Sequence, residues 1–351
     1  MKWQTIYHDL LNKIMTGKYA EGERFPSIEN LCRIYEPSNI TIRRCCTELK
    51  KNGWITTLSR RGTFVTRPTD KIRILLCAKL VEQKKNDERL HSIPIRNFYN
   101  VIENHLCGIP GEVMLVDPEY VMRYPDSIKD PMIVFHDLFF DLRGMEFKYN
   151  FELMDFFYKM FDPLVYGTIP DKRFHQLKIN YFQAFRSAVH YLVNKGHCRI
   201  GLISHSFTIP GVAERFRGYF SGMEEAGILI NANWIKTTPR YDFNHVEDAM
   251  KEYTQMTEPP TAIICTSDIK AINAINYCRQ HNISVPDDLA IIGFDNHPDG
   301  ENSIPSLTSF STITEQTGHY IMDYVKMRRI GQRHESLHLE IKAEFIERNS
   351  S

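Results

Sequence analysis

From residue 72 onward, strand-sized apolar runs alternate with segments of helical spacing. This constrains the fold more than any other feature of the chain. The runs are Ile72–Ala78, Val113–Val116, Met132–Phe135, Leu164–Tyr166, Ile200–Ser204, Ala262–Cys265 and Leu289–Gly293. Between them, helical periodicity covers about Ile95–Leu106, Glu152–Phe161, Tyr181–Asn194, Ala213–Ala226 and Ala271–His281. A strand that is apolar on both faces must be covered on both, so the pattern predicts parallel sheets layered with helices, an α/β architecture. About 280 residues exceed one doubly wound unit, which predicts two lobes and a cleft between them. The expected partition is lobe one at about 72–196 and 312–330, and lobe two at about 197–311 and 331–351, together the unit 70–351.

Residues 1–69 read differently. Ile6, Leu10 and Ile14 share one helical face, Ser27 can cap a second short helix, and Ser38 a third that ends near Gly53. Trp54–Leu58 and Thr63–Thr66 then flank Ser59-Arg60-Arg61-Gly62 as a hairpin. Three short helices followed by a basic-tipped hairpin is the order of a winged helix-turn-helix. The polar stretch Arg67–Lys71 is the expected linker. Charge divides at the same place: residues 1–69 hold 12 Lys/Arg against 6 Asp/Glu, so +6 there is balanced by −6 in the remainder of a chain of formal net charge zero. A compact cationic module on an acidic body suits a polyanion at one end only.

The eight cysteines include no C-x-x-C pair, so neither a disulfide framework nor a zinc finger is expected. The start, MKWQTIYHDLLNK, lacks an apolar h-region, and no apolar run approaches the ~18 residues of a membrane span. A cytoplasmic protein without membrane association is the expectation.

A helix that reads the major groove presents short polar side chains and arginines at its exposed start. Ser38, Asn39, Thr41, Arg43 and Arg44 occupy those positions on the third helix, and Arg60, Arg61, Gly62 and Thr63 form the hairpin tip. These nine are the candidate DNA contacts. The segment resembles the GntR family of winged-helix regulators through Gly17-x-Tyr19, Gly22-Glu23-Arg24-Phe25-Pro26-Ser27, Leu31, Ser38-x-x-Thr41-Ile42-Arg43, Leu49, Gly53-Trp54-Ile55 and Arg61-Gly62-Thr63-Phe64-Val65. The resemblance implies operator binding through the third helix and the wing. It departs at Glu29, where the family usually carries a phosphate-binding arginine, and at Asn39, where a base-reading arginine is usual. Asn pairs best with adenine and Arg with guanine, so an altered operator base is expected.

In open α/β sheets, ligands sit beyond the carboxyl ends of the strands. Three strands of the second lobe end in His205-Ser206-Phe207, Thr266-Ser267-Asp268 and Asp295-Asn296, and Arg215 opens the helix after the first. Carboxylates, an arginine and an aromatic face suit a polyhydroxylated ligand. Residues 180–310 resemble the sugar-responsive domain of LacI-type regulators, itself similar to periplasmic sugar-binding proteins. The matching segments are His190-Tyr191-Leu192-x-x-Lys195-Gly196-His197-x-Arg199-Ile200-Gly201, Glu214-Arg215-Phe216-x-Gly218-Tyr219, Val285–Asp295 and Pro305-Ser306-Leu307-Thr308. The resemblance implies effector contacts at Arg215 and Asp295, with Phe243 placed to stack on a sugar ring. Asp268, Ser267 and Ser206 complete the candidate set. Ser267-Asp268 replaces the family's usual Asn-Asp pair, and residues 72–179 carry no transferable contacts.

No nucleophile elbow, phosphate loop, dinucleotide fingerprint or H-E-x-x-H occurs, and the fourteen histidines show no metal-ligand spacing in the sequence. No catalytic residue, cofactor or metal is expected. The reading is a dimeric, one-component transcription regulator, a repressor by family analogy. It would bind a palindromic operator under control of a small polar effector, a monosaccharide or sugar derivative. Two other readings fit the α/β body: a sugar receptor that does not bind DNA, and a sugar-modifying enzyme.

Overall fold

The computed structural model describes residues 3–15, 18–36, 38–51, 53–66, 72–77, 92–106, 111–116, 118–123, 132–136, 140–141, 148–149, 151–161, 163–167, 169, 171–205, 211–238, 244–329 and 336–351. The N-terminal module comprises α1 (Trp3–Met15), α2 (Ile28–Tyr35), α3 (Asn39–Lys51) and the antiparallel pair β1 (Ile55–Leu58) and β2 (Gly62–Val65). The Ser27 hydroxyl accepts the Asn30 N–H and caps α2, as its position in the sequence suggests. Ile6, Leu10 and Ile14 of α1 meet Leu31, Ile42, Cys45 and Leu49, closing a core of its own. A hydrogen-bonded trio of Asp9, Lys13 and Tyr35 ties α1 to α2, with Tyr35 Oη donating to Asp9 Oδ2 over 2.5 Å and Lys13 Nζ donating to Tyr35 Oη over 2.8 Å. Burial and the neighbouring carboxylate push the Tyr35 phenol up to about 12, so it stays a donor at any ordinary pH.

The two faces of the wing serve different cores. Ile55 and Val65 point into the helical module, whereas Leu58 and Phe64 join the apolar cluster of the first lobe. The period of two along a strand makes this division unavoidable once both strands are covered on both sides.

The first lobe contains β3 (Ile72–Cys77), α4 (Ser92–His105), β4 (Gly111–Val116), α5 (Pro118–Arg123) and β5 (Met132–His136), then the short pair β6 (Phe140–Asp141) and β7 (Lys148–Tyr149). It continues with α6 (Phe151–Phe161), β8 (Leu164–Tyr166) and β9 (His175–Ile179). The second lobe follows with α7 (Tyr181–Asn194), β10 (Ile200–Ser204), α8 (Val212–Glu225), β11 (Ile235–Thr237), α9 (Asn244–Thr254), β12 (Ala262–Cys265), α10 (Asp268–Gln280), β13 (Ala290–Ile292) and α11 (Pro298–Glu301). The chain closes through β14 (Ser309–Ser311), α12 (Glu315–Arg329), β15 (His338–Ile341) and β16 (Glu344–Ile346). Both main sheets are parallel throughout, ordered β15-β9-β8-β5-β3-β4 and β11-β10-β12-β13.

Alternation explains the uninterrupted apolar runs. Ile74 and Leu76 of β3 face one cluster, Leu75 and Cys77 the other. In β12, Ala262 and Ile264 pack on the α7/α8 side, Ile263 and Cys265 on the α9/α10 side. Glycine allows α7 and α8 to approach closely: a Cβ on Gly218 would lie 2.2 Å from the Phe182 carbonyl oxygen.

The lobe boundaries differ from the sequence expectation. Helix α7 contributes Tyr181, Phe185, Val189 and Leu192 to the second lobe's core, because its apolar face matches that of α8. Strand β15 pairs with β9 and so belongs to the first sheet, while β14 pairs with β16. The chain therefore passes between the lobes after β9, after β14 and after β15, rather than near residues 196 and 330. The linker expected at 67–71 lies outside the described residues. No helix among the described residues is long and apolar enough to cross a membrane.

Candidate nucleic-acid interface and ligand cleft

Between α2, α3 and the wing runs a groove of about 1140 Å³. Its lining includes Asn39, Arg43, Gly62 and Thr63 from the sequence candidates, together with Arg24, Thr47, Lys50 and Thr57. At the head of α3, the Ser38 and Thr41 hydroxyls hydrogen-bond over 2.8 Å, and Ser38 Oγ accepts the Thr41 N–H. One turn on, Arg43 Nε donates to Asn39 Oδ1 over 2.6 Å, so the two residues form a single oriented unit. Thr57 and Thr63 pair their hydroxyls across the wing over 3.2 Å.

Arg24 was not among the sequence candidates. It forms a bridge to Phe64 beside β2, and its guanidinium lies against Gly62, where a Cβ would come within 3.0 Å of Arg24 Nε. Gly62 also has φ +111°, a backbone conformation that favours glycine, and any side chain there would displace the Arg24 guanidinium. The arginine within Gly-Glu-Arg-Phe-Pro-Ser was the available signal, but only the fold brings it to the wing.

Three basic candidates lie elsewhere. Arg44 stacks on the Trp3 ring, 4.3 Å from its centroid. Arg60 sits in the wing turn with φ 60°. Arg61 Nη1 donates to the sulfur of Met327 on α12, 3.3 Å away, so this side chain reaches the first lobe.

The second constellation forms at the carboxyl ends of β10, β12 and β13. Arg215 is buried in the first turn of α8 and donates to the Thr266 carbonyl. Its guanidinium lies 4.4 Å from the Tyr181 ring centroid and 4.6 Å from that of Phe294. Arg215 Nε and Ser204 Oγ are buried without a hydrogen-bond partner among the described residues. Buried polar atoms of this kind usually mark a place where water or a ligand binds. Asp295 follows β13 with φ 109° and is exposed at the rim.

Asp268 behaves differently from a rim ligand. Its side chain is 1% exposed; Oδ1 accepts from Ser309 Oγ and Oδ2 from the His297 N–H, both over 2.6 Å. These bonds join the head of α10 to the segment after β13 and to β14. Burial, then the charge of nearby Asp295, pushes the carboxyl up to about 7. Both carboxylate oxygens are thus engaged by hydrogen bonds from within the chain. Ser267 is also buried, at the N-cap of α10. Ser206 and Phe243 lie outside the described residues.

Comparison with known proteins agrees with this division. Residues 2–65 match the family model for bacterial regulatory proteins of the gntR family, and residues 189–351 match the periplasmic binding protein-like domain. The chain is 31% identical over 153 residues to the HTH-type transcriptional repressor CytR of Escherichia coli (strain K12), covering 44% of this chain and 45% of that one. It is 31% identical over 163 residues to the HTH-type transcriptional repressor PurR of Photobacterium profundum, covering 46% and 48%. It thus spans about half the length of the curated relatives it matches. Among solved structures, a regulatory protein of the LacI family from Chloroflexus aggregans superposes with a TM-score of 0.66 at 22% identity, covering 79% of this chain and 98% of that one. The transcriptional regulator CelR–cellobiose complex gives 0.65 at 18% identity, covering 93% and 100%. At these identities the structures speak for the fold. The polypeptide is therefore similar to gntR-family bacterial regulatory proteins over residues 2–65 and to a periplasmic binding protein-like domain over residues 189–351.

Proposed function

We propose that this chain is a transcription regulator, acting as a repressor, whose grip on a palindromic operator is set by a small polar effector held between the two lobes. The observation that carries the reading is the groove lined by Arg24, Asn39, Arg43 and Lys50, on a module whose sequence matches bacterial regulatory proteins of the gntR family. Ser38, Thr41 and the start of α3 lie beside a DNA phosphate in this reading, Asn39 and Arg43 address base edges, and Gly62 and Thr63 let the wing approach the backbone. Arg60, Arg61 and Arg44 supply outer phosphate contacts, Arg61 after release from Met327. A receptor without DNA binding has no use for this module.

Arg215, Asp295 and the orphaned Ser204 Oγ and Arg215 Nε favour a ligand rich in hydroxyls, a monosaccharide or sugar derivative, with Phe243 and Ser206 on the adjoining loops and Ser267 and Asp268 beneath. The route from cleft to DNA is short. β14 leads directly into α12, and α12 carries Met327 and Tyr324 of the cluster that seats Leu58 and Phe64 of the wing. Movement of one lobe on the other shifts the base on which the wing rests. Control still requires that the effector prefer one of the two states. A dimer is proposed because two-fold operators match two-fold proteins.

The test is a thermal-shift screen of sugars and sugar phosphates, followed by operator titration with each stabilising compound. A stabilising ligand should change operator affinity at least about tenfold, equivalent to about 1.4 kcal/mol of coupling, and Asp295→Ala should abolish the response while leaving DNA bound. Stabilisation with unchanged operator affinity would refute effector control. Conversion of the ligand into a product would establish the enzyme reading.

A further inference from the structure

Where α4 ends, its last residue meets the first turn of α12, although 214 positions separate them in sequence. His105 and His319 come together there with their rings edge to face, centroids 4.8 Å apart. Glu315 stands one turn before His319 on the same face of α12, with Oε1 4.0 Å from His105 Nε2. No reading of linear spacing brings these three residues together.

We propose that His105, Glu315 and His319 form a zinc site that fastens the end of α4 to the start of α12. The central distance favours it. His105 Nε2 and His319 Nδ1 are 3.3 Å apart. Two imidazole nitrogens on one tetrahedral zinc, each about 2.0–2.1 Å from the metal, stand about 3.3–3.4 Å from one another. The first ligand is also oriented from behind: His105 Nδ1 lies 2.7 Å from the Val101 carbonyl oxygen. A hydrogen on Nδ1 donates there and leaves the Nε2 lone pair directed at His319, the arrangement by which backbone carbonyls fix zinc-bound histidines.

Glycine supplies the room. A Cβ at Gly318 would lie 2.4 Å from both Cε1 and Nδ1 of His105, so the ring occupies a slot in α12 that every other residue would close. Glycine inside a fifteen-residue helix weakens it, and this close approach gives it a reason to be there. Without metal, a hydrogen on His319 Nδ1 can bridge to the Glu315 carbonyl oxygen, 2.8 Å away, and to His105 Nε2. On binding, the exposed His319 ring carries its hydrogen on Nε2 and turns the Nδ1 lone pair to the ion. Glu315, whose side chain is 83% exposed, needs only a rotamer change to become the third ligand, and water completes the tetrahedron. Two imidazoles and one carboxylate suit zinc; hard ions such as magnesium and calcium prefer all-oxygen sets.

The test titrates Zn²⁺ into full-length, chelator-treated protein by calorimetry, with Co²⁺ as a spectroscopic substitute. One equivalent should bind with micromolar affinity, and Co²⁺ should give the intense visible bands of a tetrahedral ion. His319→Ala and Glu315→Gln change exposed side chains and should leave the far-ultraviolet dichroism unaltered while weakening binding at least about tenfold. His105→Ala should remove the cobalt bands. Binding of equal strength and stoichiometry in the parent and in His319→Ala would overturn the proposal, as would failure of the folded parent to bind zinc below about 1 mM.

Discussion

Replacing Asp268 by Asn should flatten the pH dependence of stability in the second lobe. The carboxyl ordinarily titrates near 3.8, and burial holds it near 7 in the folded chain. Below about pH 4 the side chain is protonated whether the chain is folded or not, so it contributes no penalty. Between pH 4 and 7 only the folded state keeps the proton, and stability falls as pH rises; above pH 7 the cost of the buried charge is fully expressed. Three pH units at about 1.4 kcal/mol each place that cost at about 4 kcal/mol. The amide has nothing to titrate. It can still accept from the His297 N–H, and the Ser309 hydroxyl can turn to accept from its NH₂; the cost of that rearrangement is the same at every pH and drops out of the comparison. Urea unfolding of parent and Asp268→Asn should be followed by circular dichroism at pH 5 and pH 8. The difference between them should move in the variant's favour by about 3 kcal/mol across that interval. Other titrating groups are common to both proteins and cancel. Parallel pH profiles would refute the assignment of Asp268 as a buried, proton-binding support.

Gly218→Ala should lower stability by about 2–3 kcal/mol, because the new methyl meets the Phe182 carbonyl and α7 must part from α8; calorimetry should show the lower melting temperature. Phe64→Ala empties the seat of the wing on the first lobe and should cost about 3–4 kcal/mol. Hydrogen exchange of the β1 and β2 amides should accelerate, and unchanged protection would mean that the wing is not held there. Asn39→Arg should move the preferred operator base from adenine to guanine in binding-site selection, since the arginine fork matches guanine O6 and N7.

The sequence carried most of the parallel sheets because their strands are apolar on both faces: Ile200–Ser204 and Ala262–Cys265 were legible to the residue. It was silent where burial and polarity conflict. β9, His175–Ile179, buries His175 and Gln176, so no apolar run marks it. β14, β15 and β16 are three or four residues long and interleave polar side chains, too short for a periodic signal. The winged module was readable because its caps, turns and wing glycine are local features. The seat of Leu58 and Phe64 on the first lobe, the meeting of Arg61 with Met327 and that of His105 with His319 all depend on pairs far apart in the chain. Asp268 illustrates the same limit from the other side: its place at a strand end suggested a ligand contact, but only tertiary packing reveals that both its oxygens already accept hydrogen bonds from within the chain.

The measurement closest to the central claim is the affinity of the full-length protein for duplexes recovered by binding-site selection, read by fluorescence anisotropy at 50 and 200 mM salt (conditions about fourfold apart). The account predicts specific binding that weakens by orders of magnitude across that range and loses about 1–3 kcal/mol in Arg43→Ala. Failure to bind any duplex at the lower salt, or binding indifferent to Arg43, would contradict it.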